Sequence, residues 1–151
     1  MNRPDVAPLC EILHAALKRY LTVRPRGFEL APGQTPRPAI EVRILSTGAA
    51  RTLYQERQPR CRSLDAVRPL DDPARTCAAC RLRPQCTPQV RLDLFVDAQP
   101  FRLLLAHTSA RNFLAYQARL QQQGHALEDR LHRITVTNRG SWGELRFRLR
   151  D

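Results

Sequence analysis

Residues 60–86 read RCRSLDAVRPLDDPARTCAACRLRPQC, a stretch that gathers four cysteines, Cys61, Cys77, Cys80 and Cys86. Their spacing is C-x15-C-x2-C-x5-C, and the short gap of the central pair lets both sulfurs of a tight turn reach one ion. Prolines interrupt the stretch and no hydrophobic periodicity runs through it, so it buries little apolar surface by itself. Structural zinc contributes roughly 10–16 kcal/mol to the folding of small peptides. The stretch therefore predicts a zinc-ordered insert at about residues 58–88.

The metal assignment has alternatives, because only one half of the cysteine array is a CxxC pair. An iron–sulfur cluster, disulfides and unligated thiols stay open, and zinc is preferred among them. Neighbouring arginines favour the thiolate form that binds a metal: Arg60, Arg62, Arg75, Arg81 and Arg83. The fifth cysteine, Cys10, lies in a helical pattern, where a small buried hydrophobe is expected.

The charge of the chain indicates a polyanionic partner. Its 151 residues carry a formal net charge of +11, and Lys18 is the only lysine, so the excess comes from arginine. A positive excess of this size favours nucleic acid over an anionic membrane surface. The sequence has no signal-peptide pattern and no apolar run of membrane-spanning length, which predicts a cytoplasmic protein without a membrane partner. A reducing compartment favours metal over disulfides.

The N-terminal part, residues 1–38, is predicted to be a helix followed by a linker. Asp5 caps a helix that runs to about Thr22 along an apolar stripe. Prolines and glycines then break residues 24–38 into an irregular segment. This helix is the candidate contact for a protein partner.

The remainder, residues 39–151, is predicted to form one β-rich α+β domain. Residues 40–44 alternate as a first strand, residues 46–48 turn, and a second strand runs through Leu53 and Tyr54. After the insert, residues 90–96 and 101–105 form a hairpin, and a helix capped by Thr108 or Ser109 runs to about Gln123. Residues 133–137 and 145–150 form the last hairpin, around a turn at 138–143. This order predicts an OB-like small barrel with one helix between its strand pairs.

Arginine recurs on the strand faces opposite the apolar side chains, which predicts a groove for single-stranded nucleic acid. The strand arginines of this groove are Arg43, Arg91, Arg102, Arg133, Arg146 and Arg148. The insert extends it with Arg60, Arg62, Arg81 and Arg83. The candidate base-stacking residues are Tyr54, Phe95 and Trp142, the last being the only tryptophan.

A resemblance to a known group of proteins points the same way. The sequence Cys-Arg-Ser-Leu-Asp at 61–65, the pair Cys77 and Cys80, Cys86, and the later segments His-Thr-Ser-Ala and Phe-Leu-Ala-Tyr carry it. Over roughly residues 40–150 the chain resembles small phage and mobile-element proteins thought to bind single-stranded DNA through an OB-like barrel with a zinc-ribbon insert. The resemblance implies that the four cysteines are zinc ligands, and it identifies no DNA-contacting residue.

The sequence therefore predicts a non-enzymatic, zinc-stabilised protein that binds single-stranded nucleic acid, DNA in preference to RNA. Two alternatives stay open: a zinc-containing subunit of a larger nucleoprotein complex that contacts RNA or an acidic partner, and a regulator that binds duplex DNA. Catalysis is not expected, because the sequence lacks the His-x-Glu of zinc deaminases, a glycine-rich phosphate loop and a nucleophile motif.

Overall fold

The structure is a computed structural model that describes residues 19–150. Its strands are β1 (Thr22–Arg24), β2 (Gly27–Glu29), β3 (Ala39–Gln55), β4 (Gln58–Ser63), β5 (Thr87–Val96), β6 (Gln99–Ala106), β7 (Leu131–Asn138) and β8 (Gly143–Leu149). One α-helix, α1, spans His107–Gln122. Single turns of 3-10 helix lie at Cys77–Ala79, Arg83–Gln85 and Leu127–Asp129. Within the described range, no helix has both the length and the apolar character needed to cross a membrane.

Strands β3 to β8 form one antiparallel sheet in the order β6-β5-β3-β7-β8, and β4 pairs with the distal part of β3. Two predicted hairpins are confirmed as β5–β6 and β7–β8, and the predicted helix between them is confirmed as α1. The domain is therefore β-rich with one helix, as the sequence pattern indicates.

The predicted turn at residues 46–48 is wrong. Strand β3 runs without a break from Ala39 to Gln55, and the register against β5 shifts between Ile44 and Ser46, as in a β-bulge. Gly48 lies within β3 beside the Arg91 side chain: a Cβ there would lie 2.7 Å from Nη2 of Arg91, so a larger residue requires that side chain to move. The turn into the next strand comes later, at Glu56 and Arg57, both of which have positive φ angles.

The predicted irregular segment at 24–38 contains a short hairpin, β1–β2, and Thr22 opens its first strand. Most of the predicted N-terminal helix lies outside the described residues, but its predicted end at Thr22 is extended. Gly27 holds the hairpin against the next segment, since its φ is +151° and a Cβ would come within 2.3 Å of the Arg37 carbonyl oxygen. Phe28, fully buried, anchors the hairpin in the core.

The sheet is open, so the predicted barrel closure is not observed. Strands β6 and β8 lie at opposite ends of the strand order and are not paired with each other. The edge of β6 is already occupied: the Leu21 amide donates to the Arg102 carbonyl at 2.8 Å, and the Arg102 amide donates to the Arg19 carbonyl at 2.9 Å. The same segment also reaches β8, because a Cβ on Gly143 would lie 2.7 Å from the Arg24 carbonyl oxygen.

Helix α1 covers one face of the sheet with Phe113, Tyr116 and Leu120, all buried. The Phe113 and Phe147 rings meet edge to face, with centroids 5.3 Å apart. The predicted N-cap is wrong, because Ala106 holds that position without a side-chain hydrogen bond. The Ser109 hydroxyl is used differently: it accepts the Leu145 amide of β8 at 3.0 Å.

A buried histidine ties the helix, the turn after it and β7 together. The His132 side chain is fully buried, with Nδ1 2.6 Å from the Tyr116 hydroxyl and Nε2 2.7 Å from the Leu127 carbonyl oxygen. A neutral ring satisfies both contacts, with Nε2–H donating and Nδ1 accepting. Burial lowers the pKa of His132 from its usual value, and the nearby Arg130 lowers it further, against opposing contributions from the Leu127 contact and Glu128.

We predict that the free energy of unfolding falls as the pH is lowered below about 6.5, because the unfolded chain then binds a proton that the folded His132 resists. The slope is at most about 1.4 kcal/mol per pH unit for this one group. Urea unfolding between pH 7.5 and pH 5 measures it. His132→Gln is expected to remove this part of the dependence, whereas His107→Gln, at an exposed position, is expected to keep it. An unchanged profile in His132→Gln would contradict the assignment.

Candidate nucleic-acid interface and metal centre

The four predicted metal ligands line one cavity of about 560 Å³ in the insert. Cys61 lies on β4, and two consecutive single turns position the other three. The amide of Cys80 donates to the Cys77 carbonyl at 3.2 Å, and the amide of Cys86 donates to the Arg83 carbonyl at 3.0 Å. Cysteines far apart in the sequence are therefore brought to one place by β4 pairing and by these turns.

The donor set of this cavity fits zinc, although its side chains are not drawn together around an ion. All four cysteines are free thiols, and thiolates are the preferred ligands of structural zinc. Within residues 19–150, no group of three or more His, Cys, Asp or Glu side chains is arranged to hold a metal as it stands. The fit therefore rests on the four sulfurs sharing one cavity, and ligation requires them to be drawn closer together.

Two of the four thiols, Cys61 and Cys86, have raised pKa values, chiefly because they are buried, against lowering contributions from Arg75 and Arg51. Burial raises the pKa of Cys61, and so does Asp71, whose Oδ1 accepts the Cys61 Sγ at 3.8 Å. Burial also raises the pKa of Cys86, and the Cys80 thiol adds to the effect. A divalent cation relieves this kind of mutual repulsion and deprotonates the thiols that coordinate it.

On the outer face of the sheet, Asp93 is buried between two of the predicted binding arginines. Its Oδ1 accepts Nε of Arg102 at 2.8 Å, and its Oδ2 accepts the Ser46 hydroxyl at 2.9 Å. Nε of Arg91 lies 3.3 Å from Oδ2 as an ion pair without hydrogen-bond alignment, and Nη1 of Arg91 donates to the Leu64 carbonyl of the insert. The Arg102 side chain is only 7% exposed. The structure therefore does not bring Arg102 to the surface, and Arg91 joins the insert to the sheet.

A second buried carboxylate, Glu144 on β8, also holds two arginines. Its Oε2 accepts Arg139 and its Oε1 lies 3.1 Å from Nη2 of Arg146, while Asn112 donates to it from α1 at 3.0 Å. The Asn112 and Arg139 hydrogen bonds lower the pKa of Glu144. The Arg146 side chain stays 60% exposed despite this contact.

The other predicted arginines differ in their surroundings. Six of them are exposed or half-buried and form no ion pair with any residue of the described range: Arg43, Arg60, Arg81, Arg83, Arg133 and Arg148. Strand register brings two of them together, because Arg133 of β7 lies directly opposite Arg148 of β8. Arg62 instead stacks over the Tyr20 ring at 4.6 Å. The predicted binding residues omit Arg57, which is exposed in the turn between β3 and β4. The polar sequence Gln-Glu-Arg-Gln at residues 55–58 is the signal that indicates this turn.

The three predicted stacking residues lie in three separate places. Tyr54, near the end of β3, is 43% exposed, and Trp142, in the β7–β8 turn, is 45% exposed. Phe95 is half-buried on β5, directly opposite Arg43, and both line a groove of about 450 Å³ with Leu131. The predicted binding residues therefore lie on the outer face of the sheet, in the insert and in the β7–β8 turn, and they do not form one continuous patch.

Comparison with protein-family models, with curated proteins and with solved structures found no match. The resemblance to phage and mobile-element proteins stays a prediction.

We predict that Asp93→Asn destabilises the fold by about 3–5 kcal/mol. The substitution removes the negative charge that faces Arg91 and Arg102, two guanidinium groups that are largely buried. Glu41→Gln is the matched control, since it breaks an exposed ion pair with Arg150 and is expected to cost at most about 1 kcal/mol. Urea unfolding of both variants measures the difference. Equal, small costs would show that the Asp93 cluster is no more important than a surface pair.

Proposed function

We propose that this chain binds single-stranded nucleic acid, DNA in preference to RNA, and carries out no catalysis. Exposed arginines of the outer sheet face and the insert would neutralise phosphates. Tyr54, Phe95 and Trp142 would stack on bases. A structural zinc ion at Cys61, Cys77, Cys80 and Cys86 would order the insert.

The observation that carries this proposal is that the buried carboxylates are outnumbered by their arginine partners. Asp93 contacts Arg91 and Arg102, and Glu144 contacts Arg139 and Arg146, so each cluster of one acid and two bases keeps a net charge of +1. The acids of the sheet therefore do not cancel its arginines. The exposed arginines of the sheet and the insert add to this excess, and a polyanion can approach them.

A single strand fits this surface better than a duplex. The exposed aromatic rings each offer a stacking platform that only unpaired bases can use. Duplex recognition commonly places a helix in the major groove, but α1 carries only Arg111 and Arg119 as cations. The duplex-binding alternative therefore has less support.

The order of the elements supports an OB-like arrangement, in which the loops between the first and second strands and between the fourth and fifth strands bind oligonucleotides. Counting β3, β5, β6, β7 and β8 as the five strands, the first of these loops holds β4 and the cysteine insert. The other holds Trp142. Both loops carry candidate binding residues.

Zinc would serve structure in this proposal. The four thiols would hold it, and the ion would supply the ordering energy that the proline-rich insert lacks. Arg81 and Arg83 would then be presented from a rigid segment, which lowers the entropy lost on binding a strand.

A second candidate function is a subunit of a nucleoprotein complex, and one observation favours it. The insert exposes the apolar side chains of Val67, Leu70 and Leu82, which are 55%, 55% and 38% exposed. Three exposed apolar side chains in one short insert would suit a protein contact if they form a contiguous patch.

We predict that the protein binds single-stranded DNA more tightly than a matched duplex, with a log–log salt slope of about 0.7 for each phosphate contact. Fluorescence anisotropy across a salt series measures both. Replacing Arg133 and Arg148 together by alanine is expected to weaken single-strand binding roughly tenfold or more and to flatten the slope. A double variant that replaces Arg24 and Arg37, each paired with an acid, removes the same charge and is expected to bind more nearly like the wild type. Equal, weak and fully salt-erased binding to both DNAs would overturn the proposal and favour the complex subunit.

We predict that Cys77→Ser loses the metal and destabilises the insert. Metal analysis by mass spectrometry is expected to find about one zinc per wild-type chain and far less in the variant. Limited proteolysis is expected to cut the variant within residues 64–86. Cys10→Ser, outside the cysteine array, is the control and is expected to keep its zinc. Full metal content with wild-type melting in Cys77→Ser would contradict the zinc assignment.

A further inference from the structure

A cavity of about 430 Å³ lies at the open seam of the sheet, between β6 and β8. Leu104 and Leu105 of β6 form one side, Gly143 and Leu145 of β8 form the other, and Val23 closes part of it. Val23 and Arg24 of β1 lie next to Gly143 at this seam, and β6 and β8 are not paired across it. The cavity therefore lies where the sheet is left open.

Trp142 lines this cavity while nearly half of its surface stays exposed. The open side of the ring is therefore able to make a further contact. Leu104 beside it is also only half-buried. The lining therefore offers an indole ring and an aliphatic wall to a planar group. His107, Thr108 and Ser109 are the polar side chains at the same site, and the Ser109 hydroxyl already accepts the Leu145 amide.

The surroundings of the cavity are positively charged. No acidic side chain of residues 19–150 lines it. Arg111 donates to the Thr108 hydroxyl at 3.4 Å, and the Glu144 cluster, whose Arg139 precedes Trp142 in the same turn, keeps a net charge of +1. An occupant attached to a chain of phosphates is favoured here over a neutral or acidic apolar group.

We propose that the seam cavity receives one unstacked nucleobase of a bound single strand, which stacks on Trp142. The volume is in the range of small-molecule sites, and the aromatic wall suits any base because every base has a π-face. The polar groups of His107 and Thr108 face the base edge, and the strand backbone passes on the side of Arg111 and Arg139. This inference rests on the proposed function. It differs in that the base that stacks on Trp142 enters the cavity and does not lie on the outer surface.

The only tryptophan of the chain makes the test direct, since its fluorescence reports on this cavity alone. We would titrate the full-length protein with a thymidine oligonucleotide and with an abasic phosphodiester oligomer of the same length, following tryptophan emission and anisotropy together. Quenching by the oligonucleotide, with binding but no quenching by the abasic oligomer, is the expected result. Equal quenching by both oligomers would overturn the base pocket.

Two variants extend the test. Trp142→Ala is expected to weaken oligonucleotide binding roughly 5- to 100-fold and to leave abasic binding unchanged. Ala106→Leu, which fills the cavity from its lining, is expected to abolish quenching while Trp142 still emits. Ala126→Leu, at an exposed alanine, is the matched control and is expected to quench normally, and melting curves verify that each variant is folded.

The outcomes separate the two proposals. Anisotropy that shows single-strand binding, with no quenching and no effect of Trp142→Ala, would overturn the base pocket and leave the proposed function standing. Absence of binding to both oligomers by anisotropy would overturn the proposed function, and the pocket with it.

Discussion

The structure depends on one long strand whose backbone forms hydrogen bonds with three other strands. β3 pairs with β7 through residues 39–43, with β5 through residues 43–52, and with β4 through residues 51–55. Because both edges of β3 are used, the sheet, the cysteine insert and the last hairpin are all positioned by its hydrogen bonds. The bulge between Ile44 and Ser46 lets one strand serve all three partners, since it adds local twist where the pairing changes.

Charge is organised by the same sheet. Its two most buried acids sit on β5 and β8, and each is held by two arginines, so burial of a carboxylate does not neutralise the surface around it. Arg91 belongs to one of these clusters and also donates to the insert at Leu64. An arginine that appears in the sequence as one member of a basic face thus serves structure, while Arg133 and Arg148 stay available for a partner.

The sequence predicted the elements whose pattern is local and failed where distant segments compete. Alternation over Leu92, Leu94 and Leu103 identified β5 and β6, and helical spacing of Phe113 and Tyr116 identified α1. The turn assigned to Gly48 was wrong because β3 pairs with β5 straight through that position, and β5 lies far along the chain. The barrel closure was not observed, and residues 19–21 instead hydrogen-bond to β6 at Arg102, a contact that no local pattern signals. For the candidate site, the alternation of apolar and charged residues separated the arginine face from the core. It gave no sign that Arg102 is buried in an ion pair with Asp93.

The position of the insert makes the β3–β5 pairing non-local. β3 and β4 are joined by a two-residue turn, whereas residues 64–86 separate β4 from β5. Loop closure costs entropy before the β3–β5 contacts form, and such non-local pairing slows folding. An ion that draws Cys61 and Cys86 together shortens this loop, because these two residues flank its ends. The proposed zinc would therefore act as a folding accelerator, in addition to stabilising the finished insert.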